Sequence, residues 1–185
     1  MTYTLKQFVD DLDAITATVS DPAVITAKAA PLLKRLCLNP DAIPAEYRTA
    51  PAGQRGRYLL HRAPRFNVTS VIWRPGDEAG SHDHETWGLV GVVENEIQDT
   101  RYMSSGRRDL GGKITLDVKE VLRHKVGAVS TLVPPHDEIH AMYNPTKRDT
   151  VEIHVYGKDL AGLRRHTFGK DGTVKSLVSS KYMNC

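Results

Sequence analysis

The stretch Gly76–Gly91, GDEAGSHDHETWGLVG, decides how the rest of the chain is read. His82 and His84 lie two apart. In extended backbone, side chains two apart share a face, so both imidazoles point one way while Asp83 points the other. Two neutral imidazoles on one face are the beginning of a metal site, although a solvated turn carrying Glu85 is the plainer reading. A third ligand has to come from another strand. The segment PPHDEIHAMYN (134–144) offers His140, with His136 as its competitor.

Working outward, β-branched and aromatic residues arrive in short runs broken by turn residues: RFNVTSVIW (65–73), GLVGVVENEIQDTRY (88–102), KITLDVKEVLRH (113–124), AVSTLV (128–133) and TVEIHVYG (150–157). Phe66, Val68, Ser70 and Ile72 alternate with Asn67, Thr69 and Val71, and Ile114, Leu116 and Val118 alternate with Thr115, Asp117 and Lys119. Many short strands separated by Pro, Gly and Asp predict an all-β sandwich or barrel rather than βαβ units.

Only the first part of the chain has helical periodicity. Leu5, Phe8, Val9, Leu12 and Ile15 form one stripe, and Ile25, Ala29, Leu32, Leu33 and Leu36 form another. Asp21 and Pro22 read as cap and first turn of the second helix, within which Pro31 either kinks the helix or opens a new turn. Pro40, Pro44 and Pro51, with Gly53 and Gly56, make 39–56 a loop. The expected organisation is one domain over 1–185, with a helical segment at 1–48, a barrel at 55–170 and a tail at 171–185.

Composition narrows the function. The formal charge of +3 is spread over the chain, with local clusters only at 106–108 and 163–166, which is a poor basis for binding phosphate backbones; nucleic acid is not expected as a partner. No apolar run reaches the ~18 residues that span a bilayer, so no membrane is expected, and the acidic start MTYTLKQFVDDLDAI is unlike an export signal, which points to the cytoplasm. The two cysteines, Cys37 and Cys185, give no support to a disulfide framework or a Cys-rich zinc site. Oligomeric state is left open.

The spacing of Gly76, His82 and His84 resembles the first half of the first cupin motif, and Pro135, His140 and Asn144 resemble the second. Cupins are double-stranded β-helix (jelly-roll) barrels with the metal inside. The glutamate ligand usual in cupins is missing, since the corresponding positions are Trp87, Gly88 and Leu89. A three-histidine cupin of this kind resembles the thiol dioxygenases, the cysteine dioxygenase and 3-mercaptopropionate dioxygenase family. EIHVYG matches that family's serine, histidine, tyrosine series at His154 and Tyr156, with Glu152 in place of the serine.

This resemblance implies Fe(II) held by His82, His84 and His140, a small thiol acid and O2 as substrates, and a sulfinic acid as product. Tyr156 is then the catalytic hydroxyl that orients the reacting oxygen or thiolate, and His154 holds that hydroxyl. The cysteine that some relatives join to this tyrosine is replaced by Gly88, so no crosslink is expected. The carboxylate-binding arginine of cysteine dioxygenases would fall two after Tyr58, where this chain has Leu60; the 3-mercaptopropionate enzymes suggest Arg165 instead, with its neighbour Arg164 as the alternative. That favours 3-mercaptopropionate over cysteine. Trp87 reads as a core aromatic, and His61, His124 and His166 as surface or satisfied residues. Competing readings are a cupin enzyme of another class (isomerase, decarboxylase or carbon-directed dioxygenase on another metal) and a non-catalytic barrel that binds a small acid.

Overall fold

The computed structural model describes residues 2–39 and 41–185; Pro40, placed above in a loop, lies outside them. Helix α1 (Leu5–Thr18) begins at a reciprocal cap, in which the Thr4 hydroxyl accepts from the Gln7 N–H and the Gln7 side chain accepts from the Thr4 N–H. Helix α2 (Pro22–Cys37) begins at Asp21, whose carboxylate accepts from the Val24 N–H at 3.0 Å. It continues through Pro31, so that proline neither ends the helix nor starts another.

The strands are β1 (Gly56–Arg62), β2 (Asn67–Trp73), β3 (Glu78–His82), β4 (Gly88–Glu94), β5 (Glu96–Ser105), β6 (Thr115–Lys125), β7 (Val129–Leu132), β8 (His140–Tyr143), β9 (Thr150–Tyr156), β10 (Arg164–Phe168) and β11 (Val174–Val178). They form two sheets, ordered β1-β2-β9-β4-β7 and β11-β10-β3-β8-β5-β6, with every pair of neighbours antiparallel. This is a double-stranded β-helix (jelly-roll) barrel, with two helices ahead of it in the chain.

The helices pack on the outer face of the five-stranded sheet. Phe8, Leu12, Leu33 and Leu36 are fully buried in one cluster with Val68 and Ile72 of β2, Leu89 of β4 and Ile153 and Val155 of β9. Burying each such side chain contributes ~1.5–3 kcal/mol, and it explains why β2 and β9 are buried at all seven positions. One set of alternate residues faces helices. The other set, including Thr69, Val71, Trp73, His154 and Tyr156, lines the cavity between the sheets. The edge strand β6 of the six-stranded sheet leaves Val118 and Val121 more than half exposed, so the alternation of 114–118 marks core at Ile114 and Leu116 but not at Val118.

Residues 171–185 are not a tail. They contain β11, paired with β10 along its whole length, and beyond it Ser179 and Ser180 line the cavity while Tyr182 is buried, its hydroxyl donating to Asp159 and accepting from Asn67.

Helix α2 approaches β4 so closely that a Cβ added to Gly91 would lie 2.5 Å from the Cys37 sulfur and 3.0 Å from Leu33 Cγ. Gly91→Ala is therefore expected to destabilise the protein by about 1–3 kcal/mol through overpacking, and Cys37→Ala in that background to recover part of the loss. Denaturant unfolding of the four proteins measures both; an unaffected single variant would mean that the helix is free to retreat.

Candidate metal centre

His82 ends β3, His84 follows in the loop that Glu85 turns with a φ of 55°, and His140 opens β8 directly opposite His82. The shared face expected for His82 and His84 is thus achieved by strand end plus turn. All three rings are buried, their centroids 4.8–5.0 Å apart, and a nitrogen of each lies within 4.8 Å of the others. His136 is exposed, which decides between the two candidates in favour of His140.

Each ring is held by its Nδ1. That of His82 meets the Gly80 carbonyl at 2.7 Å, that of His84 the Glu138 carbonyl at 3.2 Å, and that of His140 the Asp99 carboxylate at 3.2 Å. With Nδ1 donating outward, Nε2 carries the lone pair, so three neutral donors remain for one cation. Burial, reinforced by the other histidines and by Arg165, pushes the His82 and His84 pKa values well below 6.5 and keeps both rings in the form that binds metal. An all-imidazole set of this kind suits iron, zinc, copper or nickel.

The supporting residues form two groups. Asp99 is fully buried and its other oxygen accepts from His124 and from Ser130; the bonds from His124 and His140, with the charge of Arg101, outweigh burial and hold its carboxyl well below the usual range. His124 is thus satisfied, as expected, but by a group that anchors a ligand. On the other side Glu138 accepts from the backbone N–H groups of His84 and Glu85, and Arg108 joins Glu138 (2.7 Å) to Asp83 (3.1 Å) and donates to the Pro135 carbonyl. Asp83, Glu85 and His166 also come within 4.8 Å of one another, but Arg108 and His166 already occupy the Asp83 carboxylate, so this cluster is a brace between β3 and β10.

Beside the triad, β9 directs Glu152, His154 and Tyr156 into the barrel. The His154 ring bonds the Tyr156 hydroxyl through Nδ1 at 2.8 Å and Glu152 through Nε2 at 2.9 Å; the same Glu152 oxygen accepts from the Trp73 indole at 2.6 Å. Glu152, His154 and Tyr156 thus form one hydrogen-bonded chain. Its second oxygen, also buried, has no hydrogen-bond partner. Tyr156 stacks on His84 with centroids 5.4 Å apart, and burial pushes its hydroxyl up to about 12, so it carries its proton at neutral pH. Gly88 lies against this ring: a Cβ there would be 2.9 Å from Tyr156 Cε1, and both cysteines are free.

The cavity, about 510 Å³, is lined by His82, His140, His154 and Tyr156 together with Arg55, Arg57 and Arg165. Of the two arginines only Arg165 is buried and lines the cavity, Arg164 being exposed; Arg165 donates to the Asp83 carbonyl at 2.6 Å and to Ser179 at 2.7 Å, while its Nε has no hydrogen-bond partner among the described residues. Tyr58 and Leu60 are not site residues. Both pack toward the helices, with Tyr58 stacked on Tyr47 and bonded to the Thr49 carbonyl, because β1 turns Arg57 inward and Tyr58 outward and is bulged between Leu59 and His61. Arg57 and Arg55 carry no sequence signal beyond their charge. Asp99 does carry one, as a polar residue following Ile97 on the inward side of β5. Trp87 is core, as expected.

Fold and site together define a β-helix barrel with three histidines able to hold a metal ion. No family model matches the chain. Solved structures of similar fold include a cupin superfamily protein from Desulfitobacterium hafniense (14% identity, 65% of this chain and 87% of that one, TM-score 0.45). Another is an uncharacterised conserved protein with a double-stranded β-helix domain from Klebsiella pneumoniae (17% identity, 74% and 88%, TM-score 0.47), and a more distant one is an oxalate oxidase (17%, 50% and 42%, TM-score 0.36). No helix is long and apolar enough to cross a membrane among the described residues.

Two outcomes follow from the ring environments. His82 and His84 stay neutral when folded but take up protons below pH 6.5 when unfolded, so the metal-free protein loses stability as pH falls from 6.5, by up to about 1.4 kcal/mol per pH unit for each ring. Denaturant unfolding at several pH values checks this; a profile unchanged by replacing both histidines with alanine would reject it. Asp99→Asn, which removes the charge behind His140, is expected to weaken metal binding ~10- to 100-fold in a chelator competition.

Proposed function

We propose that this protein is a non-haem iron(II) thiol dioxygenase that converts a small thiol carboxylate, 3-mercaptopropionate or a close relative in preference to cysteine, and O2 to the sulfinic acid. The observation that carries the reading is a cluster of three imidazole donors without a carboxylate, two of which, His82 and His140, line a cavity shared with a tyrosine hydroxyl backed by His154 and Glu152 and with the buried guanidinium of Arg165. A ferrous ion held by His82, His84 and His140 would supply open positions for a thiolate and O2, with its charge left undiminished by a carboxylate ligand.

The protein's own residues supply the rest. Arg165 receives the carboxylate, its free Nε and fork geometry suiting a bidentate pair, and so fixes where the sulfur end points. With Glu152 accepting from His154 Nε2–H, Nδ1 faces the Tyr156 hydroxyl as an acceptor. A thiol that ionises on binding must lose a proton, and Tyr156 Oη with His154 Nδ1 forms a path along which it leaves. Leu160 and Trp73 border the cavity and limit the water around the reacting sulfur.

The test is an oxygen-electrode screen of the ferrous protein with 3-mercaptopropionate, cysteine and cysteamine. Oxygen uptake is expected with the thiol acids, with sulfinate as product, and zinc protein that turned over a substrate without oxygen would overturn the reading. Tyr156→Phe is expected to retain iron and lose rate by ~100-fold, and His82→Ala to lose the iron. Equal turnover by Tyr156→Phe and the parent would remove the tyrosine from the chemistry.

A further inference from the structure

Three arginines, Arg55, Arg57 and Arg165, line the cavity, with Asp77 and Glu78 also in its lining. Arg165 and Arg57 stand near one another at the Tyr156 end, each acting on the Tyr156 hydroxyl and on the other's charge. Arg57 donates to the Ser180 carbonyl and lies 4.6 Å from the Tyr182 ring centroid, which fixes its guanidinium at the wall.

Arg55 is separate from this pair. It precedes β1 at the other end of the sheet, where its guanidinium lies flat over Trp73 at 3.6 Å from the ring centroid. Trp73 is itself tied to Glu152, and Arg55 Nη2 donates to the Glu78 carbonyl at 2.8 Å, which anchors the side chain. Asp77 makes a long ion pair with its Nε at 3.9 Å, through the same oxygen that accepts from the Arg74 N–H. The buried Nε of Arg55 has no hydrogen-bond partner, like that of Arg165. Both guanidinium charges reach His82, so the triad lies within the field of two cationic posts with donors to spare.

Space agrees with charge. At ~30 Å³ per water-sized group, a thiol monoacid of about six heavy atoms fills roughly a third of the 510 Å³ cavity. We propose that the cavity takes a thiol bearing two carboxylates, one received by Arg165 with Arg57 and the second by Arg55 over Trp73. The inference rests on the thiol reading for the sulfur alone; the two anion posts stand on the arginine geometry.

Anaerobic calorimetry of the ferrous protein with mercaptosuccinate and with 3-mercaptopropionate tests it, repeated with succinate and propionate to remove the sulfur. The dicarboxylate is expected to bind ~10- to 100-fold more tightly than the monocarboxylate in both pairs, as for a charged hydrogen-bonded pair. Arg55→Gln should collapse that ratio toward one, and Arg55→Lys should keep part of it. A ratio near one in the parent protein, or a ratio unchanged in Arg55→Gln, overturns the proposal. Should the ratio and its dependence on Arg55 hold while no thiol drives oxygen uptake, the dioxygenase reading fails and the dianion site stands. Oxygen uptake with monocarboxylate thiols and no preference for the dicarboxylate does the reverse, leaving the dioxygenase reading in place and removing the dianion site.

Discussion

Holding the Nδ1 atoms of His82, His84 and His140 on oxygen acceptors outside the cavity is the constraint on which the rest of the site depends. An imidazole has two nitrogens, and a ring free to rotate offers either. Here the acceptors are a carbonyl of β3 itself, a carbonyl of the 133–139 segment and the carboxylate of Asp99 on β5, so three parts of one sheet must be in register before the three Nε2 lone pairs face one point. Arg108 closes the arrangement from outside by tying Asp83, between the first two ligands, to Glu138, two residues before the third.

That polar interior depends in turn on the helices. A sheet buried on both faces has to meet the hydrogen-bonding demands of every inward polar group, and a barrel lined with histidine, arginine and glutamate has little apolar area there to stabilise it. The compensating area is on the other side of β2, β4 and β9, where α1 and α2 supply Phe8, Leu12, Leu33 and Leu36. The cavity can be polar because the five-stranded sheet gains its hydrophobic burial elsewhere.

The same double burial sets what could be read from the sequence. Apolar periodicity placed α1 and α2, with Asp21 and Pro22 marking the start of the second, and the alternating runs placed most strands, because these signals are local. The histidine pair was legible because its spacing survives the change from strand to turn. Which side of β1 faces the cavity was not, since Tyr58 and Leu60 are apolar enough for a helix-covered face and Arg57 does not announce that it points inward; the bulge between Leu59 and His61 disturbs the alternation further. Asp99, Glu138 and Arg108 are brought to the ligands by strand pairings and loops that link residues 25 or more apart, which no short motif records.

Glu152 shows how a local departure is absorbed. A buried carboxylate is costly unless it is paired, and this one is fully buried, with His154 and Trp73 on one oxygen and nothing on the other. A serine there could hold His154 in place, but it would bring no charge. A glutamate sets a negative charge behind His154 and within the field of Arg55. The acid therefore fixes which nitrogen of His154 turns to Tyr156, and it offsets part of the charge of Arg55. Trp73 carries both effects, since one indole donates to Glu152 through its N–H and supports Arg55 on its face.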